Sequence, residues 1–155
     1  MPDATHQSHY LSVLAQTPPA RLKTFAEEIL AELDEANAAI EVRTNRTGLV
    51  MLPYTDSVQG TTFHLGEVLM SEAHVRVQEQ EGYGACLGRD LEQALAIALL
   101  DAMMQRSPSQ PAPREFASLQ SAITDFITDQ AQVQADADTD LLRKVEATRV
   151  EMEVF

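Results

Sequence analysis

The sequence predicts an α+β domain: an antiparallel sheet of about four strands flanked by helices, with a C-terminal helical segment. Three observations lead there. Apolar residues recur at steps of three and four over residues 20–36 and again beyond residue 115, the period of helices, and a further helix, apolar on nearly all sides, is expected over 91–105. Between them, residues 40–87 switch to short β-prone runs and to alternation. Strands gathered in one consecutive block, with helices before and after, mark α+β rather than alternating α/β. The 155 residues, 45% of them apolar, suffice for one domain with its own core. Within residues 1–155 the expected division is an α+β body at 8–106, a proline-rich linker at 107–113 and C-terminal helices at 114–155.

The first periodic segment covers residues 8–16, with Tyr10, Leu11, Val13 and Leu14 apolar. Thr17-Pro18-Pro19 stops it and starts the next, because proline suits a first helical turn and not an interior one. In the second helix Leu22, Phe25, Ile29, Leu30 and Leu33 form one stripe and Glu27, Glu28, Glu32 and Glu35 the opposite one. Residues 40–43 and 49–52 read as two short strands joined by a turn at Asn45-Arg46-Thr47-Gly48, and residues 56–60 as a loop. The run 63–77 alternates, with Phe63, Leu65, Leu69, Ala73, Val75 and Val77 on the face expected to meet the core. Residues 79–82 are expected to turn, and 83–87 to return. Asp90 is placed to cap a helix over 91–105, with Gln93 as the far half of a capping box. That helix is apolar on nearly all sides from Ala94 to Met104, so it is expected to pack on the sheet and on something else. After the linker, Phe116, Leu119, Ile123, Phe126, Ile127 and Val133 predict an amphipathic helix to about residue 135. Asp138 or Thr139 then caps a last helix carrying Leu141, Leu142, Val145 and Met152.

Charge excludes several functions. The chain carries 24 acidic and 11 basic residues, a formal charge of −13, which opposes both the phosphate grip of nucleic-acid binding and docking on an anionic membrane. The longest apolar stretch, 94–104, falls short of the ~20 residues a bilayer needs, and the first residues lack the basic flank and apolar block of a signal peptide. A cytoplasmic protein with no nucleic-acid or membrane partner is expected. The one cysteine, Cys86, excludes an internal disulfide and zinc motifs with paired cysteines. His64 and His74 share one strand face, yet ten residues of strand hold them ~33 Å apart, too far for one metal ion. No metal site, cofactor motif or catalytic constellation is expected; Gly-x-Ser-x-Gly and the Gly-Lys-Ser/Thr phosphate loop are both missing.

Gly88-Arg89-Asp90 is the leading candidate site. A glycine at a strand-to-helix switch lets a ligand or another backbone approach. A helix start attracts anions, and an arginine fork suits phosphate or carboxylate. Arg76 on the neighbouring strand is expected to converge on it. The competing reading is structural, with Arg89 paired to Glu67 or Glu72 and Asp90 serving only as a cap. Asp101, set within Leu99-Leu100-Asp101-Ala102-Met103, is a candidate buried carboxylate that needs partners, a backbone amide or a base among them.

Taken in order, several short segments resemble the PhnG family, the small G subunit of the bacterial carbon–phosphorus lyase system for phosphonate use. They are His9-Tyr10-Leu11-Ser12-Val13-Leu14-Ala15, Thr47-Gly48-Leu49-Val50, Leu65-Gly66-Glu67, Val75-Arg76-Val77, Gly82-Tyr83, Gly88-Arg89-Asp90 and the run from Ala98 through Asp101 to Gln105. Gln130-Ala131-Gln132-Val133 and Arg149-Val150 fit a looser pattern. Where the family has arginine this chain has Glu72, and where it has His-Ala-Glu this chain has Gln93-Ala94-Leu95, so the resemblance carries Arg76, Gly88, Arg89, Asp90 and Asp101 across but no His/Glu acid–base pair.

The resemblance implies an accessory subunit that is not catalytic alone. In that system the G, H and I subunits, with the L protein, exchange the adenine of MgATP for a phosphonate. The product is a ribose 1-phosphonate 5-triphosphate, which the J subunit later cleaves. The implied partners are the I-type subunit first, then the H- and J-types. The alternative from size, acidity and amphipathic ends is a non-catalytic acidic adaptor, a secretion-chaperone-like homodimer.

Overall fold

The computed structural model describes residues 4–105 and 114–149. The expected linker, 107–113, and Met152 lie outside the described residues. The elements in order are helices α1 (Ala4–Gln16) and α2 (Pro19–Glu35), strands β1 (Ile40–Thr55), β2 (Thr62–Val77) and β3 (Gln80–Leu87), then helices α3 (Leu91–Met104) and α4 (Arg114–Ala147). The strands form one antiparallel sheet in the order β1-β2-β3. The α+β class holds; the described residues form three strands, not four.

The missing boundary lies at the expected turn 45–48. Thr44, Asn45, Arg46 and Thr47 instead pair with His74, Ala73, Glu72 and Ser71. A turn there would forfeit that ladder, and paired backbone groups outweigh the local turn tendency of Asn and Gly. Residues 40–43 and 49–52 therefore belong to one sixteen-residue strand. The β2–β3 connection is likewise tighter than expected. Val77 pairs with Gln80, leaving Gln78 and Glu79 as a two-residue loop with Gln78 at φ 55°.

One face of β2 supplies the sheet's share of the core: Ser71, Ala73, Val75 and Val77 are buried, as expected from the alternation. The alternation fails as a guide to burial beyond that, since Phe63 and Leu65 are exposed. Helix α3 lies across β3 at very short range. A Cβ added to Gly84 would stand 2.2 Å from the Ala94 carbonyl oxygen, and one on Gly82 2.2 Å from the Ala98 carbonyl oxygen. Glycines two apart on the strand meet Ala94, Ala98 and Ala102, one per helical turn, and backbone packs on backbone. The other sides of α3 meet α1, α2 and α4, which is why every residue from Gln93 to Met103 except Leu95 is buried.

Leu22, Ala26, Ile29 and Leu33 of α2 are buried, while Leu30, at the margin of the expected stripe, is exposed. Among the described residues beyond 114 there is one helix, not two. Asp138 and Thr139 do not cap; Thr139 Oγ1 donates back to the Ala135 carbonyl at 2.8 Å, inside a continuous helix. No proline or glycine interrupts residues 114–147, so nothing forces a break. Phe116, Leu119, Ile123, Ile127 and Gln130 are buried against the body, and Phe126 stacks on Phe25 with centroids 4.0 Å apart. Further along, Leu141, Leu142 and Val145 are exposed.

Candidate functional site

The strand-to-helix switch is built on a positive backbone angle. Gly88 has φ 86° and open space where a Cβ would stand. Glycine is therefore needed for conformation, not for close approach by a neighbour. Its N–H donates to the Leu69 carbonyl at 2.8 Å and its carbonyl accepts from Ser71 Oγ at 2.9 Å, which anchors the turn to β2. Asp90 caps α3 as expected, accepting the Gln93 N–H at 2.9 Å. Gln93 does not complete a capping box; its amide donates to the Ala15 carbonyl of α1 at 3.4 Å. Asp90 also pairs with Lys23 of α2 at 2.9 Å, and Lys23 reaches Glu92 at 3.1 Å. The Gln93 backbone N–H and the Lys23 ammonium hold the Asp90 carboxyl below the usual carboxylate range. Cys86, just before the turn, is buried and donates to the Asp90 carbonyl; burial pushes its thiol upward, away from the reactive thiolate.

Arg89 is the exposed member of the turn. Among the described residues it has no hydrogen-bond or ion-pair partner, and the expected competitors are otherwise placed. Glu72 pairs with Arg46 across the β1–β2 ladder, and Glu67 lies opposite Met51. Arg76 does not converge on Arg89. Leu87, at the Arg89 end of β3, pairs with Met70, whereas Arg76 pairs with Glu81 six residues further along β2, ~20 Å away at strand rise. Arg76 instead braces the β2–β3 turn, donating to the Gln78 carbonyl at 2.6 Å and approaching Glu79 at 3.7 Å.

Asp101 is fully buried and saturated with donors. Oδ2 accepts the Tyr83 backbone N–H at 2.8 Å; Oδ1 accepts Tyr10 Oη at 2.5 Å and the amides of Gln105 and Gln7 at 3.1 Å each. The carboxylate thus ties α1, β3 and the end of α3 together. Burial and then Asp101 raise the Tyr10 phenol well above its usual range, so it stays protonated and donating. No group of three His, Cys, Asp or Glu among the described residues is placed to hold a metal ion, and no described helix is long and apolar enough to cross a membrane.

The feature that the periodicity missed is an arm. Beyond Ser71 and Thr47 the β1–β2 ribbon continues without helix cover to a tip at 56–61, closed by Asp56 side-chain bonds to the Val58 and Gln59 amides. Leu49, Val50, Met51, Leu52, Tyr54, Val58, Phe63 and Leu65 there are 44–87% exposed. The signal in the sequence is Leu49-Val50-Met51-Leu52: four consecutive apolar residues in a strand put two on each face, whereas a strand with one buried face alternates.

The chain matches the family model described as phosphonate metabolism protein PhnG over residues 5–155. It is 36% identical over 113 residues to the alpha-D-ribose 1-methylphosphonate 5-triphosphate synthase subunit PhnG of Rhizobium meliloti (strain 1021), covering 68% of this chain and 71% of that relative.

Proposed function

The chain belongs to the PhnG family of phosphonate metabolism proteins, and from that premise we propose that it is a non-autonomous subunit of a phosphonate–ribosyl-transfer complex. The complex would exchange the adenine of MgATP for a phosphonate, with the I-type subunit as the first partner and the H- and J-types beside it. The observation that carries the reading is the arm: an apolar surface on both faces of a projecting ribbon belongs to a protein made to be covered. The exposed Leu141, Leu142 and Val145 of α4 offer a second such surface.

In this reading the Gly88 turn presents Arg89, with its guanidinium unspent among the described residues, to the anion or to the partner. Asp90 holds the turn in place through the cap and Lys23 and is not itself a ligand. Arg76 acts on the fold at the other end of the sheet. Asp101 fixes the mutual position of α1, β3 and α3.

The test is a tagged pull-down from cells given a phosphonate as sole phosphorus source, read by mass spectrometry. Recovery of I-, H- and J-type subunits in stoichiometric amounts is expected. Recovery of a homodimer alone, or of one unrelated client, would sink the subunit reading and favour the adaptor.

A further inference from the structure

We propose that the β1–β2 arm is an insertion element, seated in an apolar slot of a different subunit and enclosed there on both faces. This rests on the subunit reading above. The register divides the arm into two faces. On one, Val50, Leu52 and Tyr54 of β1 lie opposite Val68, Gly66 and Phe63 of β2. On the other, Leu49 and Met51 lie opposite Leu69 and Glu67, and the irregularity between Leu52 and Pro53 leaves Leu65 out of the pairing. A flat site, or self-pairing about a twofold axis, would cover one face and leave the other in water. A slot covers both.

Area supports an interface of ordinary size. With ~200 Å² for a large side chain, the eight exposed apolar residues of the arm present on the order of 900 Å², against the few hundred of a typical monomer patch and ~800 Å² per partner in a standard interface. Charge selects the kind of partner. Between Thr47 and Leu69 the formal charges are Asp56 and Glu67, on a chain of −13. A second copy would bring the same net charge of −13 against this one. A slot with apolar walls, in a subunit of net basic charge, meets both the sparsely charged arm and the acidic chain that carries it. The arm is also shaped before it binds: the Asp56 turn closes the tip, and Tyr54 meets Phe63 edge-to-face with centroids 5.6 Å apart. Little ordering remains to be done on insertion.

The experiment co-expresses the chain with the other subunits of its complex and places p-benzoylphenylalanine at Tyr54 on the arm or, as a control, at Tyr83 on the sheet body. Val50→Asp and Met51→Asp, one per face, are compared for subunit recovery, with circular dichroism and size of the isolated chain as the folding check. Irradiation is expected to join Tyr54 to a different subunit, and each Asp variant to lower recovery at least tenfold with the isolated chain unchanged. Normal assembly with no crosslink at Tyr54 and full recovery of both variants would overturn the proposal and leave the subunit reading standing. A loss confined to one face would overturn the slot, and a crosslink to a second copy would overturn the choice of partner. Failure of the unaltered chain to recover any other subunit would remove the subunit reading and this proposal together.

Discussion

Replacing Asp101 with asparagine tests whether the buried carboxylate is a structural node. Four donors converge on it, one of them the backbone N–H of Tyr83 at 2.8 Å, which cannot turn away. Asparagine has one acceptor oxygen. Its least costly orientation keeps that oxygen on the Tyr83 N–H and aims the NH2 group at the former Oδ1 site, where the Tyr10 hydroxyl and the Gln7 and Gln105 amides must rotate to accept. The side chain keeps its volume, so no cavity forms. What is lost is the charge assistance in each bond and at least one satisfied buried donor, a cost of about 2 kcal/mol.

For a domain of this size that loss lowers Tm by ~4–8 °C. Urea unfolding followed by far-ultraviolet circular dichroism reads it directly, with the slope unchanged if the native and unfolded states keep their surfaces. Tyr10→Phe removes one donor and leaves the carboxylate three, so it should cost about 1 kcal/mol. The double variant should cost less than the sum of the two by at least ~0.5 kcal/mol, because the residues share one network. An Asp101→Asn chain as stable as the original, within ~0.5 kcal/mol, would refute the node. Unchanged stability joined to lost activity of the assembled complex would instead make Asp101 a functional carboxylate.

Three further outcomes follow from the same geometry. Gly84→Ala drives a methyl into the Ala94 carbonyl and the Ala98 amide, so it should destabilise by ~3 kcal/mol or more. Gly88→Ala meets no atom and pays only for φ 86°, about 1–2 kcal/mol; equal losses in urea would contradict that division. The folded-state pKa of Asp90 lies below its unfolded value, so its contribution is complete above about pH 4 and is lost as pH falls through the lower, folded value. Asp90→Asn keeps an N-cap without the charge, and its stability should fall less than that of the original chain between pH 5 and pH 2; identical acid profiles would remove the ionic part. Arg89→Ala should leave stability within ~0.5 kcal/mol and reduce activity of the reconstituted complex, and full activity would strike Arg89 from the site.

Helix positions were legible because their signals are local. Pro18-Pro19, the Asp90 cap and the apolar stripes of α2 and α4 each act within a few residues. The expected break at Asp138 and Thr139 failed because a capping residue alone does not end a helix that no proline or glycine interrupts, whereas the strand boundaries that went astray depended on partners distant in sequence. Asn45 and Gly48 favour a turn by themselves, and only the ladder to Met70–His74 keeps them extended. Arg76 and Arg89 lie near each other in the order of elements, yet the register of β3 on β2 sets them at opposite ends of the sheet. Gly82 and Gly84, with Ala94, Ala98 and Ala102, did carry a legible pattern, small residues at strand and helix spacing, whose meaning emerges once strand and helix are placed face to face.

The charge of the chain and its arm belong to one physical design. A sparsely charged ribbon with apolar residues on both faces and an unpaired outer edge on β1 is a template for pairing with other copies. Pro53 withholds one backbone donor from that ribbon, and the irregularity beside Leu52 bends it; both discourage regular addition of strands. The net charge of −13 does the rest at longer range, since two chains repel before their arms can align, within the ~8–10 Å reach of the field at cellular salt. A basic partner reverses the sign of that barrier and leaves the apolar faces free to be buried. Raising salt should therefore weaken selection against self-association while leaving the apolar contact itself intact. The isolated chain, monodisperse at low salt, should associate reversibly at about 1 M salt in sedimentation velocity, and Val50→Asp should abolish that association. Association unaffected by salt, or by Val50→Asp, would show that acidity does not guard the arm.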